Sequence, residues 1–312
     1  MTDGTIPVIL DVDPGVDDAV ALAAALGEPS LSIEAITTLA GNVGVEMTTA
    51  NTLAILDWLG ASEIPVHRGA SRPLIRTPHD ATYFHGSDGL GESGFAVSTR
   101  ALAADRGPAA IVRHAMARPG RITLVCLGPL TNLAIALNVV PWLPDLLRSV
   151  VVMGGAFERG GNVTPFAEFN VFADPEAAAQ VFGAPFPDIT VVGLDVTERV
   201  AIDRPGWERL RDSRGGAAEL VYRMARRSFA ERGVEVFALH DPLAVAVAAR
   251  PDLVTTTGGR VDVALGEAER GKTTLRVGGE TKVALEVNVT AFGEWFQEVL
   301  GLDDTVTRAA PV

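Results

Sequence analysis

The sequence of 312 residues is poor in cysteine, in positive charge and in long apolar runs. Its single cysteine, Cys126, excludes an intramolecular disulfide framework and agrees with a reducing compartment. No apolar run reaches the roughly 18 residues that a membrane-spanning helix requires. The N-terminal stretch also lacks a basic region and a signal-type hydrophobic segment. We therefore expect a cytoplasmic protein without a membrane partner.

The net charge of −13 argues against a broad surface for the phosphates of nucleic acid. It is compatible with a small uncharged substrate, and with clustered carboxylates that a bound cation partly neutralises. A chain of this length with 47% hydrophobic residues can build one large core or two smaller ones. We predict a single domain over residues 1–312 and no nucleic-acid partner.

Apolar strand-like runs alternate with alanine-rich, helix-like segments over the first two-thirds of the chain. The predicted strands are Ile6–Leu10, Ile33–Leu39, Ile122–Leu127, Ser149–Met153 and Ile189–Leu194, and the predicted helices are Val16–Leu26, Thr48–Leu59, Pro108–Ala117 and Leu130–Leu137. Continuous Val/Ile/Leu strands separated by helices are typical of an α/β fold with an open, mostly parallel (mixed) sheet and helices on both faces.

The pattern changes in residues 251–312, which we predict to be an appended region packed on the same domain. Three short strands are predicted at Val261–Leu265, Thr273–Val277 and Lys282–Val287, followed by a helix at Ala291–Leu300.

Polar or glycine-rich segments follow each of the five predicted N-terminal strands. They are Asp11–Asp18, Gly41–Asn42, Gly128, Gly154–Gly155, and Asp195 with Thr197. In open α/β folds, ligands bind at the carboxyl ends of the strands. The arrangement therefore predicts one shared pocket.

Four carboxylates, those of Asp11, Asp13, Asp17 and Asp18, fall within eight residues directly after the first strand. Asp13 followed by Pro14 is typical of a helix N-cap with proline at the first helical position, which would place Asp17 one turn above Asp13. Such close like charges repel unless a cation lies among them or some are protonated. Oxygen-only ligands suit calcium or magnesium better than zinc or copper. The alternative is that one aspartate caps the helix and the others interact with its dipole.

Asp-Pro opens a helix-like segment at two further places. Asp174 precedes Pro175 without other clustered carboxylates, and we interpret it as a plain helix cap. Asp241 precedes Pro242, with His240 before it and a wholly apolar, predicted buried helix over Leu243–Ala249. A histidine alone is by default a core residue, but the His-Asp pair at a helix start makes this segment a candidate for chemistry.

Other polar residues are candidates for contacts with a ligand. Asn42 could bond a sugar hydroxyl or could be a turn residue. His85 lies in a glycine-rich loop next to Tyr83 and Phe84, which suggests mobility or close approach to a ligand. The amides and carboxylate of Asn162, Glu168 and Asn170 supply both donors and acceptors, as neutral hydroxyls require.

Six motifs in order resemble the inosine–uridine preferring nucleoside hydrolase family. They are Asp11 through Ala19, Ile36–Thr38 with Gly41–Asn42, Gly128 through Asn132, Val152–Gly155, Ala167–Asn170, and His240–Pro242. The resemblance implies that family's fold and the hydrolysis of ribonucleosides to ribose and free base through an oxocarbenium-like transition state.

The resemblance also implies roles for individual residues. A calcium ion would be held by Asp13, Asp18, Asp241 and the backbone carbonyl of Leu127, with Asp13 also the general base for a calcium-bound water. The remaining assignments are a supporting role for Asp11, proton donation to the leaving base by His240, and substrate binding by Asp17, Asn42, His85, Met153, Asn162, Glu168, Asn170 and Arg232. Family members are commonly dimers or tetramers, so a homodimer or homotetramer is expected.

Two departures concern the part of the site that covers the base. Broad-specificity members carry tyrosines shortly before the His-Asp-Pro motif, where this chain has Ser228 and Phe229. The loop after His85 has Ser87-Asp88-Gly89 where other members have Glu-Ser-Gly. Base preference and the path of the proton to the leaving group therefore stay open.

Two alternative functions compete with the hydrolase. Asp11 and Asp13 after a strand could serve a magnesium phosphatase of the haloacid dehalogenase type, although the lysine and later Asp-Asp pair of that chemistry are not found. The chain could also be a non-catalytic ribose or nucleoside binder, although binding alone would not require a water-activating carboxylate.

Overall fold

The computed structural model describes residues 4–302 and 306–309. Its strands are β1 (Ile6–Val12), β2 (Leu31–Thr38), β3 (Val66–Arg68), β4 (Thr123–Cys126), β5 (Ser149–Met153), β6 (Ile189–Val192), β7 (Val200–Asp203), β8 (Val236–Ala238), β9 (Val254–Val263), β10 (Thr273–Val287) and β11 (Thr307–Ala309). Its α-helices are α1 (Val16–Gly27), α2 (Val45–Trp58), α3 (Thr82–His85), α4 (Gly107–Ala117), α5 (Thr131–Val139), α6 (Leu143–Leu146), α7 (Phe169–Ala173), α8 (Pro175–Phe182), α9 (Leu194–Thr197), α10 (Arg204–Arg209), α11 (Gly216–Arg226), α12 (His240–Ala249) and α13 (Val289–Leu300). A π-helical turn covers Arg227–Glu231, and 3₁₀ turns cover Pro251–Leu253 and Glu267–Glu269.

The main sheet has eight strands in the order β3-β2-β1-β4-β5-β6-β10-β9. Neighbouring strands are parallel except for β9, which runs antiparallel to β10. A smaller antiparallel sheet has the order β11-β7-β8. The predicted mostly parallel, mixed sheet is therefore confirmed.

Both faces of the main sheet are buried at its central strands, and successive residues of β1 show how. Val8, Leu10 and Val12 enter a core that also holds residues of α1, α11, α12 and α13, whereas Ile9 enters a second core with residues of α4, α5 and α8. Side chains alternate between the faces of a strand, so a strand covered on both faces is apolar throughout. This explains the continuous Val/Ile/Leu runs, and the predicted helices on both faces are confirmed.

The start of α1 differs from the prediction. Its N-cap is Gly15 and its first residue is Val16, so Asp13 is not the cap and Asp17 does not lie one helical turn above it. The carboxylate of Asp18 accepts the backbone N–H groups of Asp13, at 3.1 Å, and of Gly15, at 3.0 Å. Because Asp18 satisfies these donors, the carboxylate of Asp13 is left for other partners.

The other two Asp-Pro pairs behave differently from each other. Asp174 accepts the N–H of Ala177 at 3.1 Å as the N-cap of α8, which confirms the predicted cap. Helix α12 begins at His240, so Asp241 lies in its first turn. The helix is buried from Asp241 to Ala248, as its apolar sequence predicts.

The C-terminal region extends the main sheet. The segments predicted as two strands at Thr273–Val277 and Lys282–Val287 form one strand, β10, whose pairing with β9 shifts between Arg276 and Thr281. Gly278 and Gly279 make this irregularity possible through positive φ angles of 88° and 152°. Helix α13 packs against α1 and α12. The single-domain organisation of the whole chain stays a prediction. Within residues 4–302 and 306–309, none of the helices has the length and apolarity to cross a lipid bilayer.

Candidate active site

Strand ends β1, β2, β4 and β5 lead into segments that surround a cavity of about 330 Å³. The lining includes every residue predicted to bind substrate: Asp17, Asn42, His85, Met153, Asn162, Glu168, Asn170 and Arg232. Leu127, His240 and Asp241 also line it. The shared pocket predicted at the carboxyl edge of the sheet is therefore found at four of the five strand ends, whereas Asp195 and Thr197, after the fifth, do not line it.

Asp13 lies fully buried beside this cavity, between two glycines. Its Oδ2 accepts the backbone N–H of Asn42 at 2.8 Å, while its Oδ1 has no hydrogen-bond partner among the described residues. A Cβ atom added to either Gly41 or Gly128 would lie 2.8 Å from Asp13 Cγ. Both strand ends therefore need glycine because the carboxylate occupies the space of a side chain.

Three further carboxylates converge next to Asp13. Asp17, Asp18 and Asp241 each offer an oxygen, and these oxygens lie within 4.8 Å of one another. Asp18 is linked to Asp13 through the backbone N–H of Asp13. The structure thus brings Asp18 and Asp241 together, as predicted for metal ligands, and adds Asp17, whereas Asp13, the third predicted carboxylate ligand, is not one of the three that lie within this distance.

Burial and mutual repulsion raise the pKa values of this cluster. Burial, reinforced by the charge of Asp18, raises the pKa of Asp17 to about 7. Burial raises the pKa of Asp18 to about 6. The pKa values of Asp13 and Asp241 are also raised, first by burial and then by neighbouring carboxylates. Four such groups are compatible at neutral pH only if they share protons or surround a cation.

The donor set fits a hard divalent cation such as calcium. It consists of oxygens alone, and the buried Oδ1 of Asp13 is an oxygen to which none of the residues in 4–302 and 306–309 donates. The carbonyl of Leu127 accepts one hydrogen bond, from Asn170 Nδ2 at 2.7 Å, and a carbonyl oxygen has a second lone pair.

Asp11 lies behind the cavity and does not line it. Its Oδ1 accepts hydrogen bonds from the hydroxyl of Thr37 and from Asn132 Nδ2, the latter at 2.7 Å. Burial raises the pKa of Asp11 to about 7 although both hydrogen bonds lower it. This location agrees with the supporting role that the resemblance implies.

The amide side chains near the carboxylates are held by backbone carbonyls and, for Asn42, by the carboxylate of Asp18. Asn42 Nδ2 donates to the carbonyl of Asp13 at 3.2 Å and to Asp18 Oδ2 at 3.1 Å. Asn170 Nδ2 donates to the carbonyls of Leu127 and Met153. Their positions are therefore fixed before any ligand binds.

Glu168 is the N-cap of α7 and is almost completely buried. Its carboxylate accepts the N–H groups of Asn170 at 2.7 Å, of Val171 at 3.0 Å and of Gly155 at 3.0 Å. Burial raises its pKa although these three donors lower it. Glu168 thus shapes the local backbone while lining the cavity.

Asn162 lies on an exposed loop whose beginning is anchored by Asp195. The Asp195 carboxylate accepts the backbone N–H groups of Phe157 at 2.9 Å, Glu158 at 2.7 Å and Arg159 at 3.0 Å. The polar residue predicted at the end of the fifth strand therefore orders a loop of the site.

Two histidines line the other side of the cavity. Nδ1 of His85 accepts the backbone N–H of Val16 at 3.1 Å, and burial lowers the pKa of His85 to about 3. His85 is consequently neutral and carries its hydrogen on Nε2. Nδ1 of His240 lies 2.8 Å from the hydroxyl of Thr197, and burial lowers the pKa of His240 to about 4.

Aromatic rings complete the lining next to the histidines. Tyr83, Phe84, Phe169 and Phe237 contribute to the wall, and the guanidinium carbon of Arg232 lies 4.4 Å from the centre of the Phe84 ring. The sequence signals for Phe84 and Phe169 were their positions beside His85 and Glu168, whereas Phe237 gave none. Their exposure to the cavity depends on how α7 and β8 are placed.

The positions at which broad-specificity family members carry a tyrosine lie outside the lining of the cavity. Ser228 and Phe229 are buried in the π-helical turn, where Phe229 stacks on Trp207 with ring centres 5.1 Å apart. Neither residue lines the cavity, whereas Arg232 just after the turn does.

Comparison with known proteins agrees with this geometry. The profile of the inosine-uridine preferring nucleoside hydrolase family matches residues 8–294. The chain belongs to this family. A non-specific ribonucleoside hydrolase, RihC, of Shigella dysenteriae is 40% identical over 306 residues, covering 95% of this chain and 99% of the relative.

Solved structures of nucleoside hydrolases share the fold. A purine-preferring ribonucleoside hydrolase from Gardnerella vaginalis has a TM-score of 0.88 at 33% identity, covering 95% of this chain and 98% of its own. A plant nucleoside hydrolase has a TM-score of 0.89 at 32% identity, covering 95% and 99%. The predicted nucleoside hydrolase fold is confirmed, and the phosphatase alternative loses its support.

Proposed function

We propose that this protein hydrolyses the N-glycosidic bond of ribonucleosides to give ribose and the free nucleobase. The observation that carries the proposal is the buried Asp13 carboxylate, with one unpartnered oxygen, beside three further carboxylates at the cavity. Family membership and the names of the relatives support the same reaction.

We propose that Asp13, Asp18, Asp241 and the carbonyl of Leu127 hold one calcium ion. The converging carboxylate oxygens and their raised pKa values support a divalent cation at this place. When bound, calcium would orient a water molecule and make it more acidic. Asp17, within the same carboxylate group, stays available at the cavity for the sugar.

The protein's own residues would then divide the reaction among them. Asp13 takes a proton from the attacking water, whose oxygen bonds to the anomeric carbon as the bond to the base nitrogen breaks. The electron pair of that bond leaves with the base, which must gain a proton. The neighbouring carboxylates stabilise the positive charge that develops on the ribose.

Substrate binding divides into a ribose side and a base side. Asp17, Asn42, Met153, Asn162, Glu168 and Asn170 would contact the ribose. His240, whose ring is neutral at pH 7 because burial lowers its pKa to about 4, would donate a hydrogen bond to the leaving base. His85 and Arg232 would contact the base from the aromatic side of the cavity. A grip on every ribose hydroxyl explains how such a site demands ribose but tolerates several bases.

We also propose a cytoplasmic homodimer or homotetramer, built from one domain per chain, that acts in nucleoside salvage or catabolism. The composition supports the compartment, and the family resemblance supports the assembly and the pathway class. Light scattering of the purified protein measures the assembly, and a monomer at micromolar concentration would contradict it.

The reaction is tested by measuring ribose release from inosine, adenosine, uridine and cytidine, together with elemental analysis of the purified protein. We expect turnover and one calcium per chain. The Asp13→Asn variant should lose about 100- to 10,000-fold in kcat, because the amide keeps the size of the side chain but cannot accept the proton. Asp188→Asn, an exposed site that faces Lys282, is the matched control and should keep full activity.

Several results would contradict these assignments. Ribose binding without turnover would indicate the non-catalytic alternative. Zinc, or no metal in an active preparation, would remove the calcium site. A normal kcat for Asp13→Asn with calcium bound would show that another group is the base.

A further inference from the structure

We propose that Thr197 is a positioning residue that orients His240 for hydrogen bonding to the leaving base. The inference rests on the proposed function, because it assigns a partner to the residue that contacts the base. It begins from the 2.8 Å contact between the hydroxyl of Thr197 and Nδ1 of His240.

Thr197 is itself held rigidly and away from the substrate. It is the last residue of α9, it is fully buried, and its backbone N–H donates to the carbonyl of Gly193 at 3.1 Å. Thr197 does not line the cavity, whereas His240 is half-buried and does. The contact therefore turns Nδ1 of His240 toward the protein interior and leaves Nε2 as the nitrogen available to the cavity.

The alternative partner for the base, His85, is anchored by a different kind of donor. A backbone N–H can only donate, so the contact with Val16 commits His85 Nδ1 to accepting. A threonine hydroxyl can both donate and accept. The Thr197 contact is thus kept whichever ring nitrogen of His240 carries the hydrogen, and the two histidines are not equivalent.

Orientation matters here because His240 has few other restraints. Among the described residues, the hydroxyl of Thr197 is the one side-chain hydrogen-bond partner that the structure gives to its ring. His240 also begins α12, one residue before Asp241. Rotation of the His240 ring would change the base side of the cavity, while the carboxylate of Asp241 stays in place. Losing the hydroxyl should therefore weaken base departure more than sugar binding.

The test compares Thr197→Val, which removes the hydroxyl at nearly constant size, with Thr197→Ser, which keeps it. We measure kcat and KM for inosine and for p-nitrophenyl riboside, whose leaving group requires no proton. Thr197→Val should lower kcat for inosine about 10- to 100-fold with KM nearly unchanged, because a misplaced donor loses its alignment. The loss on p-nitrophenyl riboside should be less than about threefold, and Thr197→Ser should recover most of the activity on inosine.

A double-variant cycle separates positioning from a general structural effect. In a His240→Ala background, Thr197→Val should cause little further loss, since the residue it positions is absent. Thr52→Val is the control, because Thr52 is also fully buried and its hydroxyl donates to a backbone carbonyl of α2, at 2.9 Å. It should leave kcat for both substrates unchanged.

Nitrogen-15 NMR of the histidine rings gives a readout independent of turnover. Thr197→Val should shift the Nδ1 resonance of His240 and leave that of His85 in place. An unchanged His240 resonance would overturn the proposal, as would equal losses on both substrates or a full additional loss in the His240→Ala background. Absence of turnover in the wild-type protein on every nucleoside would instead refute the proposed function, and the NMR result would still report the contact.

Discussion

Replacing Gly41 by alanine should inactivate the protein without unfolding it, although the change adds one methyl group. The Cβ atom would lie 2.8 Å from Asp13 Cγ and 2.9 Å from Pro129 Cδ, whereas ordinary contact begins at 3.4 Å. The separation from Cγ is short by 0.6 Å, the difference between 3.4 and 2.8 Å, and Asp13 Oδ2 lies nearer still to the added atom. The backbone at Gly41 is outside the left-handed region, so space and not φ is the obstacle.

Asp13 cannot retreat from the added methyl group toward the opposite side. On that side Asp13 lies against Gly128, where an added Cβ atom would also be 2.8 Å from Asp13 Cγ. The carboxylate must therefore rotate or the strand ends must separate. Displacing a catalytic group by about 1 Å can cost about 100-fold in rate, and overpacking a core costs about 1–3 kcal/mol of stability. We expect a kcat loss near the first figure and a folded protein with a lowered Tm.

The assay combines ribose release at saturating inosine with a thermal unfolding curve. Gly258→Ala is the control, because no heavy atom lies within 4 Å of a Cβ added at that position in β9. Gly128→Ala should reproduce the loss seen for Gly41→Ala. A kcat within about threefold of wild type for a folded Gly41→Ala protein would refute the reasoning, because the position of Asp13 would then not limit the rate.

Two further predictions follow from shifted pKa values. In chelator-treated protein, the raised pKa values of Asp13, Asp17, Asp18 and Asp241 mean that the folded state holds protons that the unfolded state has lost. The free energy of unfolding of the calcium-free protein therefore falls as pH rises from about 4 to about 7. Calcium should raise Tm more at pH 8 than at pH 5, and protons that the carboxylates still hold should be released when it binds. A calcium-induced Tm shift that does not depend on pH would contradict this prediction. The pKa of Glu28 is lowered because hydrogen bonds from Ser30 and Trp295 outweigh the effect of burial. Glu28→Gln should therefore lower the free energy of unfolding by about 1–3 kcal/mol at pH 7 and by less as pH falls below about 4. Urea unfolding at pH 7 and below pH 4 measures this, and an equal loss at the two pH values would contradict it.

The strands of the sheet were predictable because they are covered on both faces. Val8, Ile9 and Leu10 enter two different cores, so burial selects apolar residues at consecutive positions and leaves a clear signal. Strand β3 spans only Val66–Arg68 and provides too short a run for this signal. The prediction of two separate strands at Thr273–Val277 and Lys282–Val287 was wrong because one long strand continues through an irregular pairing.

The site was predictable where one segment carries several functional groups. The order of carboxylates after β1 indicated a cation site, but not that Asp18 would cap the turn and release Asp13. That outcome depends on two backbone N–H groups that no residue pattern encodes. The Thr197–His240 contact joins residues 43 positions apart, and the aromatic wall depends on the placement of separate loops. Such contacts arise from tertiary packing and leave little trace in local sequence.

The hydrogen bond between Trp295 Nε1 and Glu28 Oε2, at 2.6 Å, has a consequence for the order of folding. It secures the C-terminal end of α1 with a residue of α13, while the N-terminal end of the same helix meets Asp241 of α12 through Asp17 and Asp18. During synthesis, therefore, α1 is made before its partners Asp241 and Trp295, which lie more than two hundred residues downstream. Contacts of such sequence separation form late and slowly, so the nascent N-terminal half exposes an incomplete acidic site until α12 and α13 have emerged.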